Sequence, residues 1–294
     1  MEERTFTFEG QGGLALFARR WSGDGTQPGD ATAAVEIAHG MGEHSARYAR
    51  FAEALVGAGY VVYGYDHRGH GHTARDASEL GDFGAGGWNA LVDDMRLVGE
   101  QIDTETGGLP RAVFAHSMGS FALQQLLLDH SHTMRAAILS GTSAVDALAG
   151  AVPADDSPAD LTAFNAPFEP ARTAFDWLSR DAAEVDKYVD DPLCGFGVAN
   201  ASLRGMAVEA PRAADPSVLA QIRKDLPLLM ISGSDDPLAG GLALVDLVAQ
   251  RYREAGLTDL TTKWYDRARH ELLNETNRNE VTADVIAWLG HHIS

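Results

Sequence analysis

Arg111-Ala112-Val113-Phe114-Ala115-His116-Ser117-Met118-Gly119-Ser120 decides how this chain folds. Ala112 to Ala115 reads as a short buried strand, and the apolar pattern from Ser117 to Leu128 reads as a helix that follows at once. A strand turning this sharply into a helix strains the serine between them and lifts its hydroxyl above the sheet, the layout of a nucleophile elbow. Small residues two positions before and after the serine let strand and helix approach. Gly119 supplies one of them. Ala115 stands where the usual pattern has glycine.

Outward from the elbow, strands and helices alternate. Arg4 to Glu9 and Leu14 to Trp21 alternate around Gly10-Gln11-Gly12-Gly13 and read as a β-hairpin. Further strands are expected at Ala33–Ala38, Tyr60–Tyr65, Arg135–Leu139, Leu226–Ser232 and Leu260–Tyr265. Helices are expected at about Arg47–Ala58, Trp88–Ile102, Leu242–Ala255 and Val281–Leu289. Counting the elbow strand, the pattern predicts an α/β fold: a mostly parallel, eight-stranded, doubly wound sheet. Ligands of such sheets bind at the carboxyl ends of the strands.

The alternation stops between about Gly141 and Arg223. That stretch is rich in Pro, Asp and Ala yet carries Phe164, Phe168, Phe175, Trp177, Tyr188 and Phe196, too many aromatics for a disordered linker. It is expected to be a helical lid inserted after the sixth strand, residues 142–223, over a core made of 1–141 and 224–294. A lid of this kind excludes water and shapes a pocket.

Composition narrows the function classes. At 294 residues, with 45% hydrophobic and 22% charged, the chain can bury one large core plus an insertion. Its formal net charge of -19 opposes nucleic-acid phosphates and anionic lipid surfaces alike. Cys194 is the single cysteine, so no internal disulfide forms, which suits a reducing cytoplasm; it reads as a buried structural thiol. The opening residues Met1 to Thr5 lack a signal-peptide pattern, and no apolar run approaches membrane-spanning length. A soluble cytoplasmic protein without a cofactor is expected.

A serine hydroxyl becomes a nucleophile only when a base takes its proton and an acid orients that base. In sheets of this type the acid and the base follow the serine in that order, on loops after later strands. Ser234-Asp235-Asp236-Pro237 follows the strand ending at Ser232, and Asp266-Arg267-Ala268-Arg269-His270 follows the last strand. His270 is therefore the expected base. Asp235 and Asp236 are both open as the acid, with Asp236, just before Pro237, preferred. The N–H of Met118 and that of Met41, in His39-Gly40-Met41-Gly42, are the expected oxyanion donors. His67, His70 and His72, on Asp66-His67-Arg68-Gly69-His70-Gly71-His72, raise a second reading, a metal site. The intervening glycines favour a structural turn.

With these residues in place, the chain resembles the α/β-hydrolase superfamily, and within it the branch of monoacylglycerol lipases and bacterial lysophospholipases, the serine aminopeptidase-like hydrolases. His39 to Tyr48 resembles the branch's oxyanion loop, and Asp66 to Thr73 its D-x-x-G-H-G-x-S turn, with Thr73 for serine. His116-Ser117-Met118-Gly119 resembles the elbow, with Ser120 where glycine is frequent, and Gly233 to Pro237 the acid loop. Arg269 to Glu275 and the lid stretches Phe175–Asp181 and Asp191–Phe196 look like those of the bacterial members. The resemblance implies a Ser117–Asp236–His270 triad acting through an acyl-enzyme on carboxylic esters, monoacyl lipids or related small esters. An aminopeptidase is the alternative on the same scaffold, with Glu169, Asp155 or Asp156 in the lid to hold a substrate amine. A metal-dependent hydrolase and a non-catalytic binding protein are more remote.

Overall fold

A computed structural model describes residues 1–150 and 155–293. Eight strands form one sheet: β1 (Glu2–Glu9), β2 (Ala15–Ser22), β3 (Ala34–Ala38), β4 (Val61–Tyr65), β5 (Arg111–His116), β6 (Ala136–Ser140), β7 (Leu228–Gly233) and β8 (Leu260–Tyr265). Their order in space is β1-β2-β4-β3-β5-β6-β7-β8. β1 and β2 pair antiparallel as the expected hairpin, β2 runs antiparallel to β4, and β3 to β8 are parallel.

The inner strands are apolar on both faces because both faces are covered. In β5, Ala112 and Phe114 pack on one side with Phe51, Leu55, Val285 and Leu289. Val113 and Ala115 pack on the other with Met95, Leu123, Leu127 and Val245. Those partners belong to α1 (Ala49–Gly57) and α9 (Arg278–His292) on the first face, and to α2 (Gly87–Glu105), α3 (Met118–His130) and α8 (Ala243–Glu254) on the second. α1 begins at Ala49 rather than Arg47, because residues Ser45–Tyr48 form a tighter turn, and α9 extends beyond the apolar stretch expected for it.

Between β6 and β7 the chain runs through short helices: α4 (Val145–Ala149), α5 (Ala182–Asp190), α6 (Asn200–Glu209), α7 (Pro216–Leu219) and several 3-10 turns. Residues 151–154 of the expected lid lie outside the described residues. The lid aromatics are anchored inward: Trp177 and Tyr188 are buried and join the core cluster of the α3 face. Among the described residues, no helix is long and apolar enough to cross a membrane.

Candidate active site

β5 lies between β3 and β6, so its carboxyl end opens in the middle of the sheet. There Ser117 adopts φ 51°, ψ -121°, a conformation that L-residues avoid. Four hydrogen bonds hold it: Ser117 N–H donates to the Ser140 carbonyl (2.9 Å), and the Ser117 carbonyl accepts from the N–H of Ser120 (2.8 Å), from the Ser120 hydroxyl (2.6 Å) and from the Phe121 N–H (3.1 Å). The serine at 120, where glycine is frequent, thus fastens the elbow. A Cβ at Gly119 would stand 2.5 Å from the Ala38 carbonyl oxygen, so only glycine lets α3 lie this close to β3. Ala115 needs no such allowance; it is fully buried and pairs in regular register with Ala38 and Leu139.

His270 follows β8 and is buried, its Nδ1 2.8 Å from Oδ2 of Asp236 on the loop after β7. The other oxygen of Asp236, Oδ1, accepts the Leu238 N–H (2.9 Å). Its neighbour Asp235 faces solvent. Of the two aspartates only Asp236 is buried and meets His270. The His270 ring lies between two others: Trp177 on one side, with centroids 4.9 Å apart, and His116 at 4.7 Å. Burial alone would lower the pKa of His270, but the Asp236 charge and hydrogen bond outweigh it and raise the group above its ordinary value. His116 has no such carboxylate bonded to it. Burial, aided by His270, pushes it down to about 4, so it stays neutral at pH 7.

Among the described residues, the N–H groups of Met41 and Met118 donate no hydrogen bond. Met118 is the first residue of α3, where free N–H groups and the helix dipole favour negative charge. Ser117, His270, Met41 and Met118 line one cavity of about 470 Å³. Its wall is mostly apolar, with Phe121, Leu148, Leu161, Phe164, Leu203 and Met206 among the lining residues.

Glu43 and Glu271 also line this cavity, and sequence reasoning gave neither a role. Glu43 Oε1 accepts from the Gly40 N–H (2.6 Å) and the Tyr48 hydroxyl (2.8 Å), while Oε2 accepts from Arg47 (2.6 Å). A second Arg47 nitrogen donates to Glu271 Oε2 (2.7 Å). Burial would raise the Glu43 carboxyl, yet Arg47, with His116 and His39, holds it well below the usual range. The alternation of acid and base over Glu43, Arg47 and Glu271 was visible only as charges in loops, which usually face water.

The remaining expected ligands are placed elsewhere. His67 and His70 are buried and stack on His39, at 4.3 Å and 5.2 Å, while His72 lies over Phe17. The turn is closed by Asp66, which accepts from Ser45 N–H, Ser45 hydroxyl and His72 N–H, and by Thr73, whose hydroxyl donates to the Asp66 carbonyl. The three histidines do not converge as a ligand set. Among the described residues, the one trio whose ligand atoms come within 4.8 Å of one another is His44, Asp191 and Cys194. There His44 and Asp191 already share a hydrogen bond (2.9 Å), and burial pushes the Cys194 thiol up, away from the thiolate that binds metal. Asp155, Asp156 and Glu169 are exposed and stand outside the cavity lining.

Sheet order, elbow and helical excursion together define an α/β-hydrolase. Residues 29–277 match the family model described as serine aminopeptidase, S33. The chain belongs to that hydrolase family. It is 31% identical to a monoacylglycerol lipase of Mycolicibacterium smegmatis, over 98% of this chain and 97% of the relative. It is 30% identical to a monoglyceride lipase of Mus musculus, over 96% and 89%. A carboxyl esterase of Bacillus coagulans, solved in complex with glycerol, superposes over the whole of both chains with a TM-score of 0.86 at 25% identity.

Proposed function

We propose that this chain is a serine hydrolase of carboxylic esters, with Ser117 as nucleophile, His270 as base and Asp236 as its orienting acid. The single observation behind this is the meeting, in one apolar cavity, of a strained elbow serine, a carboxylate-held histidine and two N–H groups without acceptors. Ser117 Oγ attacks the ester carbonyl while His270 Nε2 takes its proton, and the Met41 and Met118 N–H groups bind the oxyanion. His270 then returns the proton to the departing alcohol, leaving an acyl-enzyme. Water, activated by the same histidine, releases the acid. In this reading residues 142–223 are a lid domain over a core of 1–141 and 224–294.

The lining supports a monoacyl lipid or related small ester: its acyl chain lies against Phe121, Leu148 and Met206, and its head group toward Tyr188. An aminopeptidase needs a free carboxylate for the substrate amine. Of the acids on the wall, Glu43 and Glu271 are bonded to Arg47 and Asp160 caps the Thr162 N–H, and the lid acids Asp155, Asp156 and Glu169 are exposed. Turnover across monoacylglycerols, lysophospholipids, short esters and aminoacyl arylamides, with Ser117→Ala as control, tests the reading. Ester cleavage by the wild type and a loss of at least about 1,000-fold in Ser117→Ala are expected. Wild-type turnover in Ser117→Ala, or arylamides cleaved better than every ester, refutes it.

A further inference from the structure

Glu43, Arg47 and Glu271 form a buried ladder, carboxylate to guanidinium to carboxylate, beside the nucleophile. Both acids are nearly inaccessible, at 3% and 5% exposed, and Arg47 lies over the Tyr188 ring at 4.8 Å. Three buried charges carry a desolvation cost, and apolar residues of similar size would generally serve stability as well. What the ladder adds is connection. At one end Glu43 accepts the Gly40 N–H, one peptide before the Met41 N–H. Gly40 lies against the elbow itself: a Cβ there would be 3.1 Å from Ser117 Cβ and 2.9 Å from Glu43 Oε1. At the other end Glu271 is the residue after His270. Its N–H is fixed to the Leu178 carbonyl (2.7 Å), and its Oε2 also accepts from Asn274 (2.9 Å). Loops from opposite flanks of β5 are thereby tied across the serine.

We propose that Glu43 is a positioning residue, holding the Met41 N–H in register with His270 through Gly40 at one end and Arg47–Glu271 at the other. The proposal rests on the ester-hydrolase reading above. It assigns the ladder to the transition state rather than to substrate affinity, because a displaced oxyanion donor matters only once the charge develops. Its charges also act on the base. The groups facing His270 are Asp236, Glu271 and Glu43 on the acidic side, with His116 on β5 and Arg47 on the basic side. Removing the Glu43 charge takes away one contribution that favours protonated His270.

Glu43→Gln and Arg47→Lys are compared with wild type on the best ester, with turnover expressed per active site titrated by a p-nitrophenyl phosphonate. In Glu43→Gln, kcat is expected to fall about tenfold to a hundredfold with KM within about threefold, the range for a displaced catalytic group. The acid limb of kcat/KM moves to lower pH. Arg47→Lys keeps its charge but cannot fork between two carboxylates, so kcat falls while the acid limb stays. A purely structural role would lower the titrated fraction and Tm, leaving turnover per site and the limb alone. Wild-type turnover per site with an unmoved limb in Glu43→Gln overturns the proposal. Should Glu43→Gln fail to fold, wild-type kcat in Arg47→Lys overturns it instead. If the wild type cleaves no ester, or Ser117→Ala cleaves as well as it does, the function reading fails before the ladder is tested.

Discussion

His39, His67 and His70 stack on one another beneath the turn after β4, and His116 and His270 stack on one another beside Ser117. All five are buried, all five contact another imidazole, and only His270 is bonded to a carboxylate. In the first cluster the bonded ring nitrogens meet only backbone: His39 Nε2 accepts the His67 backbone N–H (3.0 Å), and His70 Nδ1 pairs with the Arg68 carbonyl (3.0 Å). Burial dominates there, lowering His39, taking His67 well below its ordinary value and His70 down to about 3. These rings are neutral packing elements at pH 7. In the second cluster burial is as complete, but Asp236 bonds His270 directly and reverses the sign. A carboxylate held at Nδ1 is what separates a base from a filler.

The largest expected effect comes from removing that difference. Asp236→Asn keeps the shape and deletes the charge, so kcat/KM is expected to fall by roughly 1,000- to 10,000-fold. The sign for the base follows from its raised pKa: activity needs neutral His270, so wild-type turnover is lost as pH falls through a pKa held above the ordinary imidazole value. In the Asp236→Asn variant, burial is opposed only by the lesser Glu271 and Glu43 charges, and the limb moves acidward. A wild-type limb below the ordinary imidazole value, or one that Asp236→Asn leaves in place, would break the comparison. pH–rate profiles of the two proteins decide it.

A smaller effect tests the other cluster. His70 packs on Phe83 and Phe196 at 5.8 Å and 5.1 Å. His70→Phe is expected to cost on the order of 1–2 kcal/mol, read as a lower Tm, with turnover within about threefold of wild type and unaffected by chelators. An inactive His70→Phe of wild-type Tm, or wild-type activity abolished by a chelator, would move this cluster into the chemistry.

An effect of similar size tests the turn that holds those rings. Thr73 Oγ1 accepts the Phe17 N–H (2.9 Å) and donates to the Asp66 carbonyl (2.6 Å). Thr73→Val leaves both partners unpaired, for roughly 1–3 kcal/mol in denaturant unfolding. Thr73→Ser keeps the hydroxyl and is expected within about 0.5 kcal/mol of wild type. A larger loss in Thr73→Ser than in Thr73→Val would show that the methyl, not the hydroxyl, matters.

The parts that local geometry dictates were legible in the sequence. A buried parallel strand has to be continuously apolar, and an elbow has to have a small residue at Gly119, so β5 and α3 could be read directly. Asp236 needed burial to separate it from Asp235, a property of the folded loop that two adjacent aspartates do not reveal. The ladder was not legible because Arg47 and Glu271 lie 224 residues apart and each reads locally as a solvated charge. Arg111 and Glu36 were hidden for the same reason: they meet as a buried pair at 2.6 Å across β5 and β3. The lid helices are short, and the faces they bury are set by the sheet beneath them rather than by their own period.

The positive φ of Ser117 has a consequence for how this protein can change. A non-glycine residue held there costs on the order of 1–3 kcal/mol, which the hydrogen bonds from Ser120 and to Ser140 must offset. Thermostability and turnover are therefore opposed at one position. Selection for robustness alone would relax the elbow toward glycine and silence the chain, so durability has to be gained elsewhere in the fold.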